Sequence, residues 1–142
     1  MTMATKRDDI NVMLWQRLKE LAGDGTLPIT GEVYNGDRDL SRVGEDVTVD
    51  TTMVTGSGNR KRADVNINVF ADDMASSSNV YLSDDTRLAE LSEPLVAFIE
   101  SIDSVFPELG LIDYTETKLE EPDLRQHYNN FLIRLNIYDY ND

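Results

Sequence analysis

The chain has 142 residues, 27 acidic and 13 basic, for a formal charge of -14. That length suits one domain burying about two thirds of the surface its unfolded chain exposes, and that charge argues against free nucleic acid as a ligand, since the bulk surface repels phosphates or imitates them. With no cysteine, disulfides, thiol nucleophiles and cysteine-ligated zinc are excluded, and the short apolar runs contain no transmembrane helix or signal h-region, so a soluble protein made in a cytosol is expected.

Residues 1–8 are polar and offer no periodic apolar face, so they read as a flexible tail, with 9–138 as a single domain and 139–142 as a second tail. From Asp9, a plausible N-cap, Ile10, Met13, Leu14, Leu18 and Leu21 recur at helical spacing until Gly23-Asp24-Gly25 stops them. Trp15 lies off this stripe, either a sheet contact or an exposed anchor. A short strand around Glu32-Val33-Tyr34 breaks at Asn35-Gly36, and Asp37 to Gly44 reads as a loop.

In the next strand Val47, Val49, Thr51 and Met53 fall on one face. Gly56-Ser57-Gly58-Asn59 then predicts a mobile turn, and Val65, Ile67 and Val69 point inward from the returning strand of a long antiparallel hairpin. Asp72 to Asn79, Ser-rich and acidic, reads as a loop. Leu88, Leu91, Leu95, Phe98, Ile99 and Ile102 continue one helical stripe across Pro94, which predicts a single kinked helix in preference to two helices with Ser92 capping the second. After Phe106-Pro107-Glu108-Leu109-Gly110, a strand near Leu111 to Leu119 turns at Glu120-Glu121-Pro122-Asp123 into a last strand, Gln126 to Tyr138, of unbroken two-residue alternation. The order α-β-β-β-α-β-β predicts an α+β fold, a mainly antiparallel sheet packed against two helices.

Little in this order carries chemistry. His127, the one histidine, reads as a solvent-facing strand residue, since a zinc site built without cysteine would otherwise rest on carboxylates alone. Asn35-Gly36-Asp37-Arg38-Asp39 resembles a calcium loop, yet its glycine is misplaced and no closing glutamate follows, so a turn is the plainer reading. Glu116-Thr117-Lys118 and Pro122-Asp123 are fragments of a nuclease-like set in reversed order about one tight turn, and paired solvated charges explain them. Neither a phosphate-binding glycine loop nor a nucleophile elbow is present. The reading is of a protein that is not an enzyme, with no cofactor and no metal.

Arg60-Lys61-Arg62 stands out against the acidic background. Three adjacent cations are compatible with a charge-protected edge. An acidic body with a basic finger also pairs head to tail with its own copies, because opposite charges steer encounter and fix register. Arg60, Lys61 and Arg62 are therefore the candidate subunit-interface residues, with Asp37-Arg38-Asp39, Asp72-Asp73 and Asp84-Asp85 as candidate acceptors.

Gly31-Glu32-Val33-Tyr34-Asn35-Gly36, Glu45-Asp46-Val47-Thr48-Val49, Val65-Asn66-Ile67-Asn68-Val69, and His127-Tyr128-Asn129-Asn130 running into Ile133-Arg134-Leu135-Asn136 together give the chain a pattern that resembles small bacteriophage tail-completion proteins, the tail-terminator and head-tail joining group. The resemblance extends over roughly Ile10 to Tyr138. It implies a structural virion protein of the phage neck or tail, a homo-oligomeric ring assembled in the host bacterial cytoplasm. Such a ring caps the tail tube, meets the head connector, and lets genomic DNA pass without specific binding; it has no catalytic residues and no membrane partner. Two other classes compete. A DNA mimic needs carboxylates at phosphate-like spacing on one surface, and a metal-dependent hydrolase needs a set of ligands that the motifs do not provide.

Overall fold

The computed structural model describes residues 7–57, 60–77 and 80–138. Helix α1 (Arg7–Gly23) leads to strand β1 (Val33–Asn35), then β2 (Val47–Ser57) and β3 (Arg60–Asp72). A small pair, β4 (Met74–Ser77) and β5 (Val80–Leu82), precedes α2 (Asp85–Glu100) and the one-turn α3 (Ile102–Val105). Strand β6 (Leu109–Glu121), a 3-10 turn at Pro122–Leu124 and β7 (Gln126–Ile137) close the described chain. The main sheet runs β1-β2-β3-β7-β6, and all its pairings are antiparallel except β1 with β2. The fold is α+β, as the order of elements predicts.

One core lies between the sheet and the helices. Ile10, Leu14 and Leu18 of α1, and Leu88, Leu91, Leu95, Phe98 and Ile99 of α2, pack on Val47, Val49, Val65, Ile67, Val69, Phe131, Ile133 and Leu135. Helical periods of 3.6 meet strand periods of 2, so each element presents one apolar face to the same interior. Helix α2 passes through Pro94 unbroken. Ser92 caps nothing and instead accepts a 2.7 Å hydrogen bond from Asn129 of β7.

Several expectations are corrected. Asp9 sits in the first turn of α1, which already includes Arg7 and Asp8 of the expected tail; the N-terminal helix dipole favours both carboxylates there. Met53 does not share a face with Val47, Val49 and Thr51. A bulge after Thr51 adds one residue to β2, leaving Met53 exposed and Val54 packed on the core, because a one-residue slip exchanges the faces of a strand. Part of the expected loop from Asp72 to Asn79 is strand: Asp72 ends β3, and β4 pairs with β5. Of the mobile turn predicted at Gly56-Ser57-Gly58-Asn59, Gly56 and Ser57 are strand, paired with Lys61 and Arg60, while Gly58 and Asn59 lie outside the described residues, as do residues 1–6 and 139–142 of the two expected tails.

Ion pairs fix the loops that feed the sheet. Arg87 of α2 grips Glu45 with two hydrogen bonds, 2.6 Å from Nε and 2.7 Å from Nη2, and its Nη2 also donates to the Pro28 carbonyl at 3.0 Å. Those bonds hold the Glu45 carboxyl below its ordinary value of 4.5, and the Arg87 charge and the Thr30 amide act in the same direction against the opposing effect of burial. A carboxyl whose pKa is lowered by folding stabilises the native state fully above its unfolded pKa, and that contribution is lost as pH falls through the lowered value. Urea titrations between about pH 7 and pH 3 are expected to show a steeper acid loss of stability in the parent than in Glu45→Gln. Parallel curves for the two proteins would remove Glu45 from the acid sensitivity.

Candidate functional site

The helices lie on one side of the sheet, and the other side is uncovered except at one end, where Phe70 and Thr48 are buried. Its centre is a ladder of neutral amides: Asn130 donates to Asn66 at 3.0 Å and to Asn68 at 2.7 Å, and Asn68 donates to Thr48 at 3.1 Å. At one end of this face Arg38 stacks on Phe70, 3.6 Å from guanidinium carbon to ring centre, and Phe70 packs on Tyr128 with ring centres 4.7 Å apart. Toward the other end Arg134 pairs with Asp113. The two hydrogen bonds and the charge of Arg134, aided by the nearby Arg62 charge, hold the Asp113 carboxyl below its ordinary range.

Arg60, Lys61 and Arg62 open strand β3 and do not form a separate finger. Lys61 and Arg62 are paired on both sides, with Gly56 and Thr55 of β2 and with Ile137 and Asn136 of β7. Strand alternation sends Arg60 and Arg62 to one face and Lys61 to the other. Arg62 therefore belongs to the open face, with Arg60 beside it, and Lys61 to the helix side. The three residues line a hollow of about 350 Å³ together with Asn136, Ile137 and Tyr138. Gly56, opposite Lys61, has φ +115, and a Cβ there would lie 2.0 Å from the Arg60 carbonyl oxygen, so only glycine fits the turn.

The predicted acidic acceptors are largely engaged within the chain. Arg38 is buried against Asp46; Asp39 accepts from Ser41 at 2.9 Å and 2.6 Å and lies 3.5 Å from Arg42. Asp72 accepts from Gln126 at 2.9 Å, Asp84 caps α2 by accepting from the Arg87 amide at 3.1 Å, and Asp85 pairs with Lys118 at 3.2 Å. Asn35 ends β1, and the chain bends at Gly36, φ +92, and Asp37 before the irregular Arg38 and Asp39. Among the described residues no group of three or more His, Asp or Glu side chains is placed to hold a metal ion.

His127 does not face solvent as expected. Its side chain is 18% exposed, with Nδ1 2.6 Å from Asp73 Oδ1 and Nε2 3.9 Å from Glu120. This pair is part of a pin at the base of the β4–β5 hairpin. Arg125, in the left-handed region at φ 52, lies over the Tyr81 ring and donates to its hydroxyl at 2.7 Å, while its carbonyl accepts from the Asp73 amide at 2.9 Å. Asp73, Tyr81, Glu120, Pro122, Arg125 and His127 surround a hollow of about 300 Å³. No motif announces this cluster, since Asp73 and Tyr81 come from one stretch of the chain and the other four residues from another about 40 positions on; the local signal is Arg125 directly after the turn.

Trp15 is a sheet contact. Its Nε1 donates to the Val33 carbonyl at 3.0 Å and so covers the outer edge of β1, with Lys19 over its ring at 4.6 Å. Glu116, from the supposed nuclease fragment, accepts from Asn129 at 3.1 Å and forms part of a structural hydrogen-bond chain. The chain matches no protein-family model and has no significant match among curated proteins.

Proposed function

We propose that this protein is a structural subunit of a bacteriophage neck or tail, forming a ring that caps the tail tube and joins it to the head connector, with DNA passing through. The observation that carries the reading is the polarity of the sheet. Arg60 and Arg62 sit together at one end of its open face, on a body of formal charge -14 whose loops are rich in carboxylates. Copies of such a subunit attract one another head to tail, and a heterologous contact closes into a ring where its rotation permits. The resemblance to tail-completion proteins, drawn over roughly Ile10 to Tyr138, supports the same role. An acidic lumen repels phosphates along the whole passage, so DNA slides without being held. A DNA mimic is the weaker reading, because Asp39, Glu45, Asp46, Asp73 and Asp113 are each turned to an internal partner.

The test is the mass and shape of the particle, by light scattering and negative-stain imaging at low and moderate salt. Rings with a central hole are expected, loosened by salt because exposed charges beyond about 10 Å are screened at 0.1 M. Reversing Arg60 and Arg62 to glutamate is expected to weaken self-association on the order of tenfold or more at low salt. Unchanged assembly in that variant would rule out the charge-mediated contact.

A further inference from the structure

Every open sheet has two edges, and an exposed edge strand invites pairing unless charge, proline or a covering element blunts it. The β6 edge is guarded by Asp113, Glu116, Lys118, Glu120 and Glu121. The β1 edge is covered in part by Trp15. Strand β2 is different. Its partner β1 accompanies it only as far as Val49, and Asn11 of α1 bonds the Thr51 amide at 2.7 Å. From Thr52 to Ser57, among the described residues, no strand lies on its outer side. That stretch carries no charge and exposes Met53.

A second unguarded element stands off the sheet. The β4–β5 hairpin pairs with no strand of the main sheet and is anchored at its base by Asp73, Tyr81 and Arg125. From Met74 to Leu82 the sequence holds no charged residue, and Met74, Val80 and Leu82 are all exposed. A two-stranded ribbon of this length is marginal in water by itself and gains stability from a third strand. Charge complements the fit. Asp72 and Asp85 are exposed at the base of the hairpin, with Asp84 half-buried beside them, whereas Arg60 and Arg62 lie across from Ser57 and Thr55 at the end of the β2 edge. Strands of three and four residues span about 10–13 Å, which fits within the roughly 20 Å of open β2 edge.

We infer that the β4–β5 hairpin is an arm that adds, as an extra strand, to the open β2 edge of a second copy of this chain. Backbone hydrogen bonds supply the pairing, Met53 of one copy meets the apolar side chains of the other's arm, and the acidic base opposite Arg60 and Arg62 sets the direction. The contact is heterologous, since arm and edge are different surfaces, so it propagates from copy to copy. It specifies the subunit contact within the ring proposed above and rests on that reading.

The absence of native cysteine allows a clean test. Full-length chains carrying Met53→Cys or Thr55→Cys are mixed with chains carrying Val80→Cys or Leu82→Cys and oxidised with diamide, and Ile112→Cys on the β6 edge serves as the comparison. Cross-strand neighbours come within disulfide reach, so the mixed pairs are expected to cross-link on the order of tenfold above either chain alone. Val80→Lys, which leaves the core untouched, is expected to abolish the link in a Leu82→Cys chain of unchanged thermal stability. Rings that form while only the Ile112→Cys chains link would overturn the arm and leave the ring reading standing. Arm-to-edge links in open filaments would keep the arm and overturn the ring. Monomers without any link would overturn both.

Discussion

Replacing Asp46 with alanine is expected to remove about 3–5 kcal/mol of stability, the usual cost of stranding a buried charge, against a total of roughly 5–15 kcal/mol for a domain. The Asp46 side chain is fully buried and the Arg38 side chain 6% exposed, with 3.2 Å between them. Asp46 also accepts from the amides of Glu32 and Gly44, both at 3.1 Å. One carboxylate therefore neutralises a guanidinium and gathers two loop segments beside the parallel β1–β2 pair. A Cβ on Gly31 would lie 2.0 Å from its oxygen, which shows how closely the backbone wraps it. Removing the arginine as well, in Arg38→Met with Asp46→Ala, is expected to recover part of the loss and not all, because the two amides stay without their acceptor. Urea denaturation of the two single variants and the double variant measures the coupling. A loss in Asp46→Ala below about 1 kcal/mol would mean that water reaches the site and the pair is not buried in solution.

Asn11→Leu is the second large effect, expected at about 2–4 kcal/mol from orphaned buried groups. Asn11 sits on the inner side of α1 and does for β2 what a neighbouring strand would do. Its amide donates to the Val49 carbonyl at 2.9 Å and to Asn35, and its oxygen accepts from the Thr51 amide at 2.7 Å and hydroxyl at 2.9 Å. Leucine has similar volume but no polar atoms, so the buried Thr51 N–H and hydroxyl lose their acceptor, while the Val49 carbonyl keeps only the Gly36 amide, at 2.8 Å. Hydrogen exchange gives a specific readout: the Thr51 amide is expected to lose protection before its neighbours in β3 do. A variant within about 0.5 kcal/mol of the parent would place Asn11 among ordinary surface positions.

The sequence showed most clearly what depends on near neighbours. The stripes of α1 and α2 and the alternation of Phe131, Ile133, Leu135 and Ile137 are local periodicities, and each is buried as its period requires. Non-local pairings were hidden. The parallel β1–β2 ladder is three residues long and is held by Asp46, whose acidic character in sequence suggests solvent. A bulge after Thr51 breaks the count that put Met53 inside. The β4–β5 hairpin has the composition of a loop, and its anchor, Arg125, is 44 positions from Tyr81. At the candidate interface the three cations were legible as a cluster. Their division between two faces follows from the strand, and the pairing of β3 on both sides was visible only once β7 had been placed beside it.

That placement has a consequence for synthesis. Strand β7 is the last strand in chain order, yet it lies between β3 and β6 and joins Lys61 to Ile137 across the middle of the sheet. Until it emerges from the ribosome, the β3 edge of the nascent β2–β3 ribbon is bare, and its apolar row of Val65, Ile67 and Val69 lacks the neighbours Ile133 and Phe131. A stalled or C-terminally clipped chain is thus a sticky half-sheet and not a smaller version of the protein, and translation through Ile137 separates an aggregation-prone intermediate from the complete sheet.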